Sequence, residues 1–87
     1  MRNVVFSPEA FEQYQHWQQT DRTLLRKLNQ LLKECQRTPF AGTGKPEALK
    51  GQLTGYWSRR ISQEHRLVYE ADAQNLFVIS CRYHYEK

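Results

Sequence analysis

An 87-residue chain with 39% apolar residues can form one small domain with a thin core. No stretch reads as a membrane span. The start, MRNVVFSPEAFEQYQ, enters a polar helix rather than a signal peptide, so no membrane is expected as a partner and the cytoplasm is the expected compartment. The net charge is +4, and residues 42–69 alone contribute +3, which suggests a polyanion such as nucleic acid, although many small domains are mildly basic without one.

The first six residues read as a short strand ending in Phe6. Ser7 is then a good N-cap, Pro8 suits the first helical position and Glu9 faces the helix dipole favourably. Phe11, Tyr14 and Trp17 recur at spacings of three and predict an aromatic face. Thr20 or Asp21 caps a second helix, in which Leu24, Leu25, Leu28, Leu31, Leu32 and Cys35 form one apolar stripe. Pro39 ends it, and the short interval between the helices implies an antiparallel pair. The stretch FAGTGKPEALKGQLTG reads as a loop with room for a turn of helix or a short strand. YWSRRIS, HRLVYEA and LFVISCRYHY read as three further strands, the last running into the C-terminal His84 and Tyr85. The expected fold is α+β, in the order β-α-α-β-β-β, with two helices on one face of a small antiparallel sheet and residues 1–87 as a single domain. Cys35 and Cys81 sit among apolar neighbours and read as core residues.

Strand alternation sorts the side chains by face. If Ile61, Leu67, Tyr69, Phe77, Ile79 and Cys81 face the helices, Arg60, Arg66, Arg82 and His84 share the other side, next to a loop carrying Lys45, Glu47 and Lys50. Val68, Leu76 and Val78 then lie on that same face, and the apolar area they leave uncovered makes a homodimer an expectation.

Most catalytic patterns are missing. GTGKPEALKG lacks phosphate-loop spacing, the three histidines and two cysteines make no zinc pattern, and no serine carries a triad signature, so neither a metal nor a cofactor is expected. One metal-free reaction fits a carboxylate, arginines and a histidine: cleavage of RNA by its own 2′-hydroxyl. It needs a base for the 2′-OH, cations for the charged phosphorane and an acid for the departing 5′-oxygen. Taken singly, Arg60, Arg66, Glu47 and His84 also read as ordinary solvated side chains.

RTPFAGTGKPEALK at 37–50, LTGYWSRRI at 53–61, EHRLVY at 64–69 and CRYHY at 81–85 together resemble the YoeB-type toxins of the RelE/ParE superfamily, over essentially residues 1–85. The resemblance implies a RelE/microbial-ribonuclease-like fold and a ribosome-dependent endoribonuclease that cuts messenger RNA in the ribosomal A site. It implies Glu47 as general base, Arg66 as the phosphate-stabilising residue, His84 as general acid and Tyr85 as a substrate-positioning residue. Lys50 and Arg60 match supporting cations, and Lys45 is a further candidate for substrate contact. The implied partners are a YefM-type antitoxin, ribosomal RNA and messenger RNA on the ribosome. The sequence departs from its relatives at Ala48, where they often carry proline, and in having Glu86 and Lys87 after the His-Tyr pair. A ParE-like toxin that binds a protein such as gyrase without catalysis is the competing reading, and an antitoxin-dependent transcriptional co-repressor is another; the presence of the Glu, Arg and His set favours the nuclease.

Overall fold

The computed structural model describes residues 1–84. Strand β1 (Asn3–Phe6) leads into helices α1 (Pro8–Thr20) and α2 (Arg22–Arg37), followed by β2 (Glu47–Ala48), a 3-10 turn (Gly51–Leu53), β3 (Trp57–Arg60), β4 (Arg66–Ala71) and β5 (Asn75–Ser80). The loop thus contains both a short strand and a turn of helix. The strands form one five-stranded sheet in the order β1-β5-β4-β3-β2. Its neighbours are antiparallel except for β1 and β5, which run parallel in the register Val4↔Leu76, Val5↔Phe77. The sheet is therefore mixed rather than antiparallel: the helix pair carries the chain from β1 at one edge to β2 at the other, and the later strands return across the sheet until β5 lies beside β1.

The helix boundaries follow local chemistry. Ser7 Oγ accepts the Ala10 amide at 3.0 Å, with Pro8 in the first turn. Asp21 alone separates the helices and serves both: its own amide donates to the Trp17 carbonyl at 3.0 Å, and its carboxylate accepts the Leu24 amide at 3.0 Å. The α2 stripe is buried as its spacing predicts, at Leu24, Leu28, Leu31, Leu32 and Cys35. The aromatic series on α1 is not equally buried: Trp17 is 6% exposed but Phe11 is 49% exposed. A spacing of three falls short of the 3.6-residue turn, so each step drifts by about 60° and the far end leaves the core.

The core between helices and sheet gathers Ile61, Leu67, Tyr69, Leu76, Val78 and Cys81 from the strands and the connections around them. Leu76 and Val78, rather than Phe77 and Ile79, face the helices. The reason is a register shift: Val68 pairs with Ser80 but Tyr69 pairs with Val78, which leaves Ile79 as an extra residue. A one-residue bulge reverses the alternation, so counting back from Cys81 assigns the wrong face to the strand before it. Val68 is itself only 3% exposed, so the uncovered apolar face expected from alternation is not there. Both cysteines are free and buried, and burial pushes the Cys81 thiol up to about 12.

The largest fully buried side chain is charged. Arg59 on β3 points toward the helices with 0% exposure. All five of its N–H donors have acceptors. Nε donates to Tyr69 Oη at 3.0 Å, Nη1 to Glu34 Oε1 at 2.7 Å and to the Thr43 carbonyl at 3.1 Å, and Nη2 to the carbonyls of Thr38 and of Ala41, the latter at 2.8 Å. Tyr69 Oη in turn donates its hydrogen bond to the Pro39 carbonyl. One guanidinium thus joins α2, the loop after it, β3 and β4.

Replacing Arg59 with Leu leaves three carbonyls, a phenol and a carboxylate short of a donor. The variant is expected to lose about 3 kcal/mol or more, read as a lower urea midpoint at unchanged slope. Arg60→Ala, at the exposed next residue, should move stability by no more than about 0.5 kcal/mol.

Candidate functional site

The sheet face away from the helices carries two cross-strand rows. Glu47, Ser58 and Val68 are register partners across β2, β3 and β4, and the next row on the same face pairs Arg60 with Arg66. A depression of about 600 Å³ opens over these rows, lined by Lys45, Glu47, Ser58, Arg60, Arg66 and His84. Adjacent strands lie about 4.8 Å apart, so Glu47 and Arg66, with β3 between them, stand roughly 10 Å apart at the backbone and leave space for a ligand between their side chains.

The loop that delivers Lys45 and Glu47 is held from below and from the side. Arg59 grips its carbonyls, and Glu34 Oε1 accepts the Thr43 amide at 2.6 Å. Gly44 accepts the Arg60 amide at 2.7 Å. A Cβ there would stand 3.1 Å from the Arg60 carbonyl oxygen, on a residue whose φ is +87°, so only glycine lets the loop lie this close to β3. Lys45 follows with a positive φ of 54°.

The β3–β4 turn organises the two remaining groups through its carbonyls. Arg66 is 8% exposed, and the two N–H groups of its Nη1 are shared among the carbonyls of Ser62 at 2.7 Å, Gln63 at 3.1 Å and His65 at 3.1 Å. His84 Nε2 lies 3.1 Å from the same Gln63 carbonyl. A carbonyl can only accept, so that nitrogen carries a proton.

β5 ends at Ser80, short of the strand expected to reach Tyr85, and residues 81–84 follow an irregular path fixed by α1 and the turn. Gln13 Oε1 accepts the Cys81 amide at 2.7 Å and Trp17 Nε1 donates to the Cys81 carbonyl at 2.9 Å. Tyr83 adopts a left-handed φ of 67°. Its amide donates to His65 Nδ1 at 2.7 Å, and its carbonyl accepts the Arg66 amide at 3.1 Å. Arg82 does not join the basic face: its guanidinium lies 5.7 Å from the Trp17 ring centre and 4.6 Å from that of Tyr83.

Of the residues singled out from sequence, Glu47, Arg66, His84, Lys45 and Arg60 surround one depression. Lys50 is exposed at the start of the 3-10 turn and does not line it. Tyr85 lies outside the described residues. Among those described, no group of three His, Cys, Asp or Glu side chains could hold a metal, and no helix is long and apolar enough to cross a membrane. Sequence reading passed over Arg59, Gln13, Trp17 and His65 as supports. The one available signal was WSRR itself, since alternation must send one of two adjacent strand arginines inward.

Solved structures share this architecture. A YoeB dimer from Staphylococcus aureus superposes with a TM-score of 0.90 at 52% identity, covering 97% of this chain and 98% of that one. The toxin chain of a YoeB–YefM complex from the same species does so with 0.89 at 50% identity, covering 98% and 99%. The toxin YoeB of Escherichia coli K12 is 50% identical over 82 residues, 94% of this chain and 98% of that protein. The fold and its basic depression therefore define a bacterial toxin of the RelE fold. The family model for the YoeB-like toxin of bacterial type II toxin-antitoxin systems matches residues 6–85, and the chain belongs to that family.

Two outcomes test how the site is supported. Trp17→Phe strips a buried carbonyl of its donor and should cost about 1–3 kcal/mol, with faster amide exchange over residues 81–84. Glu34 lies below its ordinary value of 4.5, chiefly through the Thr43 amide, with the Arg59 contacts adding to the effect against a cost from burial. A depressed carboxylate stabilises the fold above its unfolded value and loses that contribution as pH falls through the folded one. The Thr43 amide should therefore lose protection, measured against its intrinsic exchange rate at each pH, as pH falls below the ordinary value of 4.5, and Glu34→Gln should remove that dependence.

Proposed function

We propose that this chain is a single-domain endoribonuclease that cuts messenger RNA in the ribosomal A site by metal-independent acid–base catalysis, and that it is inhibited by a YefM-type antitoxin. The observation that carries the reading is the order of groups along the sheet. Glu47 stands in one row, Arg60 and Arg66 in the next, and His84 beyond them at the turn. Displacement at phosphorus needs its base and acid on opposite sides of the phosphate with positive charge between them, and this array has that order.

In the proposed reaction Glu47 takes the proton of the 2′-hydroxyl. The oxygen attacks the adjacent phosphorus while Arg66, supported by Arg60 and Lys45, holds the charge building on the non-bridging oxygens. His84, acting as the imidazolium, transfers its Nε2 proton to the departing 5′-oxygen and is left neutral, exchanging the Gln63 carbonyl for the leaving group as acceptor. The products are a 2′,3′-cyclic phosphate and a 5′-hydroxyl. Tyr85 positions the substrate, and Lys50 contributes charge from the rim.

An open surface orients a small substrate poorly, but the ribosome would hold the messenger and supply that positioning. Lysines and arginines elsewhere on the surface would meet ribosomal RNA backbone with salt-dependent affinity. The S. aureus relatives, solved as a YoeB dimer and as a YoeB–YefM complex, support a homodimer and an antitoxin of that type here. The cytoplasm is the corresponding compartment.

His84→Gln and Glu47→Gln should each lower the rate of cutting ribosome-bound messenger by roughly 10²–10⁴-fold. A messenger with a 2′-deoxy sugar at the scissile nucleotide should stay intact; cutting of that substrate, or full activity of either variant, refutes the mechanism.

A further inference from the structure

We propose that His65 is a positioning residue for His84: its ring nitrogen Nδ1, held free of a proton, fixes the left-handed turn at Tyr83 from which the His84 imidazole reaches the site. The inference rests on the nuclease reading for its consequence, but its structural half stands on contacts alone. Tyr83 is not glycine, so its φ of 67° needs outside support. Residues 65 and 66 supply it from both sides of the peptide. His65 Nδ1 accepts the Tyr83 amide at 2.7 Å, and the Arg66 amide donates to the Tyr83 carbonyl at 3.1 Å. The clamp closes one residue before His84.

The ring is itself held in place. It meets Trp17 edge-on with centroids 4.7 Å apart and lies 5.9 Å from the Tyr83 ring. The backbone of the same residue serves the other half of the site, since the His65 carbonyl accepts from Arg66 Nη1 at 3.1 Å. One residue therefore braces the guanidinium with its carbonyl and the segment carrying the imidazole with its ring.

The clamp works only while Nδ1 is an acceptor. A proton there would set one donor against another and expel the Tyr83 amide. The groups facing the ring compete. Burial against Trp17 opposes the charge most strongly, Glu64 and Asp21 favour it, and Arg82 and His16 oppose it, so His65 protonates below its ordinary range. A histidine depressed in this way leaves the fold intact at neutral pH and withdraws stability as pH falls below the unfolded value of about 6.5.

Two variants separate acceptor from ring. His65→Asn places an amide oxygen near the Nδ1 position and does not titrate; His65→Phe keeps the ring against Trp17 and has no acceptor. In ¹⁵N-labelled wild-type protein, the Tyr83 amide signal should move with His65 protonation as pH is lowered from 8 to 5. His65→Asn should hold that amide at every pH and cut ribosome-bound messenger within about threefold of wild type at neutral pH, with a flatter acid limb. His65→Phe should release the amide and lose roughly tenfold or more in kcat with KM within about twofold, because a misplaced acid costs rate rather than binding. The proposal is overturned if His65→Phe cuts as wild type does with the Tyr83 amide unmoved, or if that amide in wild type ignores His65 protonation, a result that needs no variant to fold. A wild-type protein that leaves messenger intact sinks the nuclease reading instead, and the amide measurements alone then decide the clamp.

Discussion

The structure depends on a charge taken out of water and fully satisfied. Arg59 has 0% exposure, and its five donors meet a carboxylate, a phenol and three backbone carbonyls. A buried guanidinium with one missing partner would be a liability of several kcal/mol. With every donor paired it imposes a geometry. The loop after α2 must pass where its carbonyls of residues 38, 41 and 43 can reach the same planar group, and that path places Gly44 against β3 and Glu47 opposite Ser58. A lysine could not perform this task, because its ammonium offers three donors from a single point rather than a planar fork.

Above that foundation, backbone groups set the positions of Arg66 and His84. Backbone carbonyls of the β3–β4 turn orient Arg66, and the Gln63 carbonyl is shared between Arg66 and His84. Helix α1 fixes the segment leading to His84 through Gln13 and Trp17 without placing a residue in the depression. The candidate groups thus sit on the sheet, and the helices act from beneath. An open depression of this kind excludes little by itself.

The elements were readable where their causes are local. Ser7 and Asp21 cap the helices by bonds to amides three residues on, and the α2 stripe follows from the helical repeat. The face of β5 was misread because alternation is reliable only over an unbroken ladder; the extra Ile79 reverses it, and nothing within LFVISC announces a bulge that arises from pairing with β4. The parallel pairing of β1 with β5 is likewise decided by residues more than seventy positions apart. For the site, motifs pointed to Glu47, Arg66 and His84, and alternation from Ile61 put Arg60 on the face where the depression lies, but nothing in the sequence announced Arg59 as a buried brace.

By itself the sequence determined the helices, their caps, the loop, the number of long strands after it and the residue types available for chemistry, because each rests on spacing along a few neighbouring residues. Only the tertiary structure decided which partners satisfy Arg59 inside, how β5 presents its faces, and that a histidine from the β3–β4 turn grips the backbone beside His84. These depend on which distant groups come within hydrogen-bond reach, and that is a property of the packed chain.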